Sequence, residues 1–359
     1  MNYTMNTSRT KLCGVAALGT LLLGLMFSAS SPAQVASDPA GFCQLTLLGS
    51  SDTILSLPFA RPKAAWGGVK SASGSTVQAL GAPNWTVNQF VYAAGTQPNT
   101  YYLRFDSGAK AGFYYPITAN ASSTLTVNLG RDSLAAVAQN DIFSVVPYWT
   151  LATIFPGGSG VFASPTPGDR YTEILAPSYA GSGINLSASS TYYLEGGFWK
   201  EVGQGLANMN DQTFPPYSYI IVRHNVATSS VLTTMGAVVV PTAALPLTAL
   251  TTGQQDNFVA LPRPFPISLD DSGLISSGAF AATLTPGSRT DELLTFDNTA
   301  TGQNKSASAT YYYWNGGWRC VGSGQTIVGA NQVFLPGAGV VIRKGANNNS
   351  SVWMNSTSY

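Results

Sequence analysis

Short stretches of alternating apolar and polar residues, separated by turn residues, run along most of this chain. Two of them share one pattern: "TYYLEGGFWKEVG", which begins at Thr191, and "TYYYWNGGWRCVG", which begins at Thr310. Gly196-Gly197 and Asn315-Gly316 supply the positive φ angles that a two-residue type I′ turn requires. Aromatic pairs across the two arms stabilise such a ladder. Each stretch therefore predicts a β-hairpin.

Further strands are predicted downstream of each hairpin. The apolar stretches "SYIIVRHN", which begins at Ser218, and "GVVIRKG", which begins at Gly339, occupy equivalent places after the two hairpins. Helical spacing is clear only in "RDSLAAVAQNDIF", where Leu134, Val137 and Ala138 recur at helical intervals and Ser133 is placed to cap one short helix. The pattern predicts an all-β protein.

An internal duplication explains why the aromatic phrase occurs twice. Residues 168–194 align with residues 287–313 at 12 of 27 positions without a gap. Self-similarity of this kind indicates repeated structural units. We expect two repeated antiparallel β-barrel or sandwich modules, over residues 34–240 and 241–359. The first carries an inserted β subdomain at about residues 82–166, because the two copies differ in length there.

The N-terminal sequence is typical of an export signal. Arg9 and Lys11 precede the apolar stretch from Leu12 to Phe27, and small residues suited to signal-peptidase cleavage follow. The apolar stretch is shorter than the roughly 20 residues that span a bilayer. We expect residues 1–33 to be a signal peptide, with an uncleaved anchor as the alternative. The mature protein would then be extracellular, on the cell surface or in the periplasm, without membrane insertion.

Charge argues against a nucleic-acid partner. The chain has 17 Lys and Arg against 16 Asp and Glu, and charged residues make up only 9% of it. A phosphate-binding surface needs a basic stripe, and the sequence contains no basic run. The composition suits an extracellular β protein with many tight turns.

Two cysteines, Cys43 and Cys320, remain after the predicted cleavage site. An oxidising compartment would permit a disulfide between them. Geometry decides whether it forms, since the two Cα atoms must lie within bonding range. The alternative is a pair of small buried thiols.

Several short motifs together resemble a verrucomicrobial-type family of secreted bacterial β-repeat proteins. They are "SDPAGF" at Ser37, an Asp followed by Leu-Pro near Asp52, "GFYYPITAN" at Gly112, and the two "TYY…GG-W" hairpins. The resemblance covers most of the chain after the predicted signal. It implies export and a repeat layout; the family has no established activity, so no site residue is implied. Cys43 and Cys320 depart from the pattern.

The sequence offers little catalytic chemistry. His224 is the only histidine, and its repeat partner is Lys344, which predicts a water-facing position at the end of a strand. One histidine and two distant cysteines do not supply the usual zinc ligands. Glu173 and Glu292 occupy the same repeat position, each three residues after an arginine. This favours a duplicated Arg-Glu pair over the two unlike carboxylates of a glycosidase. We expect no catalytic residue, metal or cofactor.

The aromatic residues of the hairpins are the candidate ligand-binding residues. Flat aromatic faces bury the apolar face of a sugar ring, but alternation on a strand turns half of them inward. The candidates are Tyr192, Trp199, Tyr312, Trp314 and Trp318. We expect an exported, non-enzymatic protein with a structural or adhesive role, and its predicted partners are surface glycans or other copies of itself. The alternatives are a carbohydrate-binding protein that uses these aromatics and an unrecognised glycoside-active enzyme.

Overall fold

A computed structural model describes residues 39–346 and 349–356; the predicted signal peptide lies outside these residues. The protein is all-β, as predicted. None of the helices in the described part of the chain is long and apolar enough to cross a membrane. The strands are β1 Ala40–Leu47, β2 Ser51–Ser56, β3 Ala65–Ser73, β4 Thr76–Ala79, β5 Tyr101–Phe105, β6 Tyr114–Asn120, β7 Thr124–Val127, β8 Ile142–Pro147, β9 Thr172–Ala176, β10 Ser190–Glu195, β11 Phe198–Glu201, β12 Tyr219–His224, β13 Ser230–Ala237, β14 Ala243–Leu247, β15 Gln255–Val259, β16 Ile267–Ser268, β17 Glu292–Thr295, β18 Ala309–Trp314, β19 Gly317–Cys320, β20 Gln332–Phe334, β21 Val340–Lys344 and β22 Ser351–Asn355.

Within residues 39–346 and 349–356, helix is confined to single turns. The α-helix α1 covers Leu151–Ile154 and begins at Thr150, whose hydroxyl accepts the backbone N–H of Thr153. Two 3₁₀ turns cover Pro156–Gly158 and Asp270–Ser272. The helix predicted after Ser133 is wrong. Ser133 accepts the N–H of Ala135 through its hydroxyl, and the segment then forms separate turns that place Leu134 in the core of the barrel.

Each repeat builds a five-stranded antiparallel sheet with the same strand arrangement. The first sheet has the order β11-β10-β9-β12-β2 and the second has the order β19-β18-β17-β21-β15. Both hairpins are confirmed. Their turns lie at Gly196-Gly197 and Asn315-Gly316, and all four residues have positive φ. Asparagine and glycine therefore stand where a type I′ turn needs them.

A two-stranded ribbon covers the inner face of each sheet. In the first module the ribbon pairs β1 with β13, and in the second it pairs β14 with β22. Leu47 and Leu232 of the first ribbon join Leu55 of the sheet in one buried cluster. In the second module, Leu245 and Trp353 of the ribbon likewise pack into the buried cluster beneath the sheet. Each module is thus a small two-layer sandwich.

The closed barrel is the inserted subdomain and is formed by six strands in the order β3-β4-β7-β6-β5-β8. The insertion was expected at about residues 82–166. Its strands instead run from Ala65 to Pro147, because β3 and β4 already belong to the barrel. Aromatic and β-branched side chains fill its interior, among them Phe105, Phe143 and Val77. A small barrel of this kind has room inside only for its own side chains.

The two sheets are joined by reciprocal contacts. The loop at Asn304 binds Asp52 and Arg223 of the first module, and the loop at Asn185 binds Asp256 and Arg343 of the second. An apolar patch lies between the sheets and includes Ile54, Tyr219, Phe258, Val341 and Leu294. Equivalent residues exchange equivalent contacts, which is the pattern of an isologous, two-fold interface within one chain.

Candidate functional site

The predicted hairpin aromatics are mostly buried, so the idea of an exposed sugar-stacking platform on the hairpins is wrong for four of the five. Tyr192 is 3% exposed, Trp199 2%, Tyr312 5% and Trp318 0%. Only Trp314 is half-buried.

Both faces of the hairpin strands are covered, which sequence alternation could not reveal. One face packs into the module core through Tyr192. On the other face, the guanidinium of Arg170 lies 5.9 Å from the ring of Tyr193, and that of Arg289 lies 6.0 Å from the ring of Tyr312. The arginines therefore occupy the face on which a sugar was expected to stack.

Glu173 and Glu292 lie in matching ion pairs. Arg170 Nε is 2.6 Å from Glu173 Oε1, and Arg289 Nε pairs with Glu292 Oε1 in the same way. The prediction of a duplicated Arg-Glu pair is confirmed. Each glutamate sits opposite the arginine that binds the interface aspartate, Arg223 in the first module and Arg343 in the second. In each module, two arginines and two carboxylates thus alternate across neighbouring strands, and these ion pairs link the sheet to the contact between the modules.

His224 is buried, so the prediction of a water-facing position is wrong. It is 1% exposed, with Nδ1 2.9 Å from Thr172 Oγ1 and Nε2 2.9 Å from Ser230 Oγ. Burial lowers the pKa of His224 to about 4. A neutral imidazole held between two hydroxyls is a structural element, and no carboxylate is positioned beside it in the described hydrogen bonds.

Cys43 and Cys320 are both free thiols, so the disulfide considered from the sequence does not occur in this structure. Cys43 lies on β1 opposite Thr234, and Cys320 lies on β19 opposite Tyr311. The first strand belongs to the ribbon of one module and the second to the sheet of the other. Among the described residues no group of three or more His, Cys, Asp or Glu side chains is arranged to hold a metal ion.

The candidate site is a cleft of about 560 Å³ between the barrel and the first module, which we call the tyrosine cleft. Tyrosines from both bodies supply its aromatic walls. Tyr114 comes from β6 and Tyr148 directly follows β8, while Tyr192 comes from β10 and Tyr179 from the loop after β9. The remaining lining residues are Thr100, Pro116, Ala176, Ser189, Ser190, Gln212, Thr213, Phe214, Pro215 and Pro216.

A cluster of tyrosines fixes the barrel wall of the tyrosine cleft. The ring of Tyr102 lies 4.9 Å from that of Tyr148 and 5.6 Å from that of Tyr114. Tyr114 in turn meets Tyr217 of the first module at 5.5 Å. All three contacts are edge-to-face, a favourable arrangement worth about 0.5–1.5 kcal/mol per pair beyond burial. The wall is therefore rigid and largely formed in advance of any ligand.

The tyrosine hydroxyls stay protonated. Burial raises the pKa of Tyr148, Tyr179 and Tyr192 above the usual value. Tyr179 donates its O–H to the backbone carbonyl of Tyr219 at 2.8 Å, which locks that ring in place. Neutral phenols and aliphatic hydroxyls can exchange hydrogen bonds with a ligand but cannot bind one through charge.

No Asp, Glu, Lys, Arg or His is among the residues that line the tyrosine cleft in the described structure. Ser189, Ser190, Thr100, Thr213 and the amide of Gln212 provide its polar groups. Of the five residues predicted from sequence, only Tyr192 belongs to the cleft. The remaining lining residues were not predicted, because the cleft forms between segments that are far apart in the chain and no local motif marks it.

A second cleft of about 610 Å³ lies between the barrel and the ribbon of the second module. Its charged lining residues are Arg131 and Asp132, and the oxygens of Asp132 are already bound, at 2.6 Å each, by Lys110 Nζ and the hydroxyl of Tyr115. Its aromatic lining residues, Phe113, Tyr114 and Tyr115, all come from the barrel, whereas the tyrosine cleft has aromatic residues on both sides and no charged side chain among its described lining residues. The tyrosine cleft is therefore the better candidate for stacking against a ligand.

Comparison of the chain with protein-family models, with curated proteins and with solved structures finds no match.

Proposed function

We propose that this chain is an exported, non-enzymatic adhesive protein that binds an uncharged carbohydrate in the tyrosine cleft. The observation that supports this is the lining: Tyr114, Tyr148 and Tyr179 beside the buried Tyr192, with four aliphatic hydroxyls and one amide around about 560 Å³, and no charged side chain among the described lining residues. Binding sites for small molecules usually measure about 300–1,000 Å³ and combine aromatic walls with a few polar groups. A neutral sugar offers an apolar ring face and several hydroxyls, which match both kinds of lining.

Position also favours this cleft. Ligand sites occur preferentially where two bodies of a protein meet. Here the barrel contributes Tyr114 and Tyr148, and the first module contributes Tyr179 and Tyr192. The insertion of the barrel thus creates an aromatic cleft on one copy of a repeat that would otherwise be a plain sandwich.

A glycoside-active enzyme is not favoured. Hydrolysis of a glycosidic bond needs two carboxyl groups facing one another across a cleft. Glu173 and Glu292 lie in separate modules, each paired with an arginine, and neither lines the tyrosine cleft.

The test is a glycan-array screen of the purified protein, followed by calorimetric titration with the best neutral oligosaccharide. Thr100→Trp fills the cleft from the barrel side, and Gln212→Ala removes its amide. We expect each variant to weaken binding at least about tenfold, or 1.4 kcal/mol. Trp66→Ala is the matched control, because Trp66 is an aromatic residue that is 66% exposed and not a lining residue of the cleft.

Thermal unfolding of the three variants shows whether any loss of binding reflects unfolding. Binding that survives both cleft variants, or an absence of binding to every neutral glycan, would reject the proposal. Selective binding of acidic glycans would also contradict it, since no cationic side chain is among the described residues that line the cleft.

A structural role through self-association is the second candidate. The outer face of the first ribbon exposes a cross-strand pair, Phe42 at 71% and Met235 at 69%, and Val231 is 55% exposed on the same ribbon. Val231 lies further along the same face, beyond the polar pair Gln44 and Thr233. Exposed apolar side chains on a ribbon favour contact with another copy. Light scattering over a range of concentrations tests this: Phe42→Ser with Met235→Ser should reduce association, and a monomer at every concentration would exclude it.

A further inference from the structure

The second module contains a lysine and an aspartate that are sealed from water and face each other. Lys344 Nζ lies 2.5 Å from Asp291 Oδ2, and the two side chains are 3% and 0% exposed. Lys344 ends β21, and Asp291 immediately precedes β17, the strand paired with β21. The register that joins Glu292 to Arg343 makes Asp291 and Lys344 the next cross-strand neighbours.

The surroundings fix both groups. Lys344 Nζ also donates to the backbone carbonyl of Ala279 at 2.8 Å. The backbone N–H of Gly345 donates to Asp291 Oδ1 at 2.9 Å, and that of Ala281 donates to Oδ2 at 2.8 Å. A side chain at position 345 would bring its Cβ to 2.2 Å from the carbonyl oxygen of Thr290, so glycine is required for this close approach.

The first module has no equivalent pair. The corresponding residues are Thr172 and His224, which are cross-strand partners in the same place and are joined through a hydroxyl and an imidazole. Elsewhere, Lys200 Nζ approaches Glu195 Oε2 to the same 2.5 Å, but these side chains are 14% and 17% exposed and keep contact with water. The sealed Lys-Asp pair therefore calls for a separate explanation.

We propose that Lys344 and Asp291 become joined by an amide bond between their side chains after the second module folds. Burying a full ammonium and a full carboxylate is costly in a low-dielectric interior. Passing one proton from the ammonium to the carboxylate gives a neutral amine beside a neutral carboxylic acid. The amine nitrogen is then an uncharged nucleophile, held beside the carboxyl group that it attacks once the hydrogen bond between them opens.

The reaction is a condensation that needs no oxidant, reductant or cofactor. Lys344 Nζ attacks Asp291 Cγ, a C–N bond forms, and the C–Oδ2 bond breaks. Oδ2 leaves as water with one proton from the carboxyl group and one from the amine. Oδ1 becomes the amide oxygen, and the N–H of Gly345 stabilises the negative charge that develops on it during attack. Because folding already holds the two groups side by side, the reaction does not carry the entropy cost of bringing them together.

Such a bond would tie β17 covalently to β21, at the centre of the second sheet. The sheet could then not be unzipped between these strands by a force applied to the chain.

The test is peptide mapping of the purified full-length protein. The protein is denatured, digested with a protease and analysed by mass spectrometry. We expect a branched peptide that contains positions 291 and 344 and is lighter, by one water, than its two linear parts. In the same digest, the peptides that carry Lys200 and Glu195 should be linear.

Lys344→Met provides the matched variant, because methionine keeps the length of the side chain but has no amine. Its digest should release the Asp291 peptide in linear form with its full mass. The wild-type digest decides the matter even when the variant folds poorly. Only linear peptides of full mass at positions 291 and 344 in the wild-type protein would overturn the proposal.

Discussion

Asn304 donates its backbone N–H to Asp52 Oδ2 at 2.6 Å, although 252 positions separate the two residues. The equivalent bond runs the other way between the modules, from the N–H of Asn185 to Asp256 Oδ2 at 2.9 Å. Arg223 and Arg343 complete the two sites by binding the aspartate and the asparagine side chain together. Because each module supplies both halves of the contact, the surface that joins the modules is self-complementary.

This arrangement predicts what happens when one asparagine is replaced. Asn304 has φ 52°, which asparagine and glycine tolerate and alanine resists. We expect Asn304→Ala to lower the free energy of unfolding by about 2 kcal/mol, through backbone strain and the lost bond to Arg223. Asn304→Gly should cost about half as much, since it removes only the bond. Urea unfolding of the two variants measures the difference.

Asn185 provides the reciprocal control, because it has φ 54° and the same partners in the other module. Asn185→Ala and Asn185→Gly should repeat the order found at position 304. A loss at one asparagine with none at the other would contradict the two-fold equivalence of the contacts.

The duplication explains how much could be predicted from the sequence. Matching residues gave the paired hairpins, their Gly-Gly and Asn-Gly turns and the duplicated Arg-Glu pairs, because these features depend on residues close together in the chain. His224 was misplaced because its repeat partner is a lysine, and lysine is usually exposed. Lys344 is in fact buried against Asp291, so both members of that pair lie inside. The pairing of a buried lysine with a buried aspartate depends on strand register, which the sequence alone did not specify.

Closure of the barrel and the tyrosine cleft were not predictable for the same physical reason. The cleft brings Thr100 and Tyr148 of the barrel to Tyr179 and Gln212 of the first module. Neither alternation nor turn chemistry contains information about such long-range packing. The closure of the barrel was equally hidden: the short strands β4 and β7 alternate polar and apolar residues, but alternation does not say which strands close into a barrel.

Two tryptophans of one hairpin should differ strongly in their contribution to stability. Trp318 is fully buried and packs against Phe280 and Tyr313, whereas Trp314 is half-buried, 5.7 Å from the guanidinium of Arg319. Trp318→Ala should lower the free energy of unfolding by about 3–5 kcal/mol, the usual effect of removing a large side chain from the core. Trp314→Ala should cost about 1 kcal/mol or less. Denaturant unfolding measures both, and equal effects would mean that the hairpin packs differently.

The free thiols make a chemical prediction. When the protein is unfolded without a reductant and treated with an alkylating reagent, the peptides of both Cys43 and Cys320 should be labelled. In the folded state Cys43 should react slowly near neutral pH, because burial raises the pKa of its thiol and only the thiolate attacks. Mass spectrometry reads out the labelling at each site. A peptide that stays unlabelled until a reductant is added would show that the cysteine is bonded.

The buried histidine should make stability depend on pH in the mildly acidic range. Ser230 donates its hydroxyl proton to the carbonyl of Gly160 at 2.7 Å, so it accepts from the Nε2–H of His224. Thr172 accepts the N–H of Phe162, which leaves its own proton for Nδ1. The neutral imidazole thus has both nitrogens satisfied, and a proton added at Nδ1 would break the bond that Thr172 donates to it and place a charge in a buried site.

The sign of the effect follows from the two pKa values. Burial lowers the pKa of His224 to about 4 in the folded protein, whereas a histidine in the unfolded chain has a pKa of about 6.5. Between these values the unfolded state binds the proton and the folded state does not. The contribution of the neutral His224 to the free energy of unfolding should therefore be fully present above about pH 6.5. It should be lost as the pH drops toward 4, by about 2 to 3 kcal/mol in total.

His224→Gln isolates this contribution, because glutamine does not titrate while the carboxylates of the protein remain. The difference in unfolding free energy between wild type and variant should change across this pH range and be constant above it. Since His224 is the only histidine of the chain, its ring signals in an NMR titration are unambiguous. A folded-state midpoint near 6.5, or parallel pH profiles for the two proteins, would mean that the imidazole reaches water.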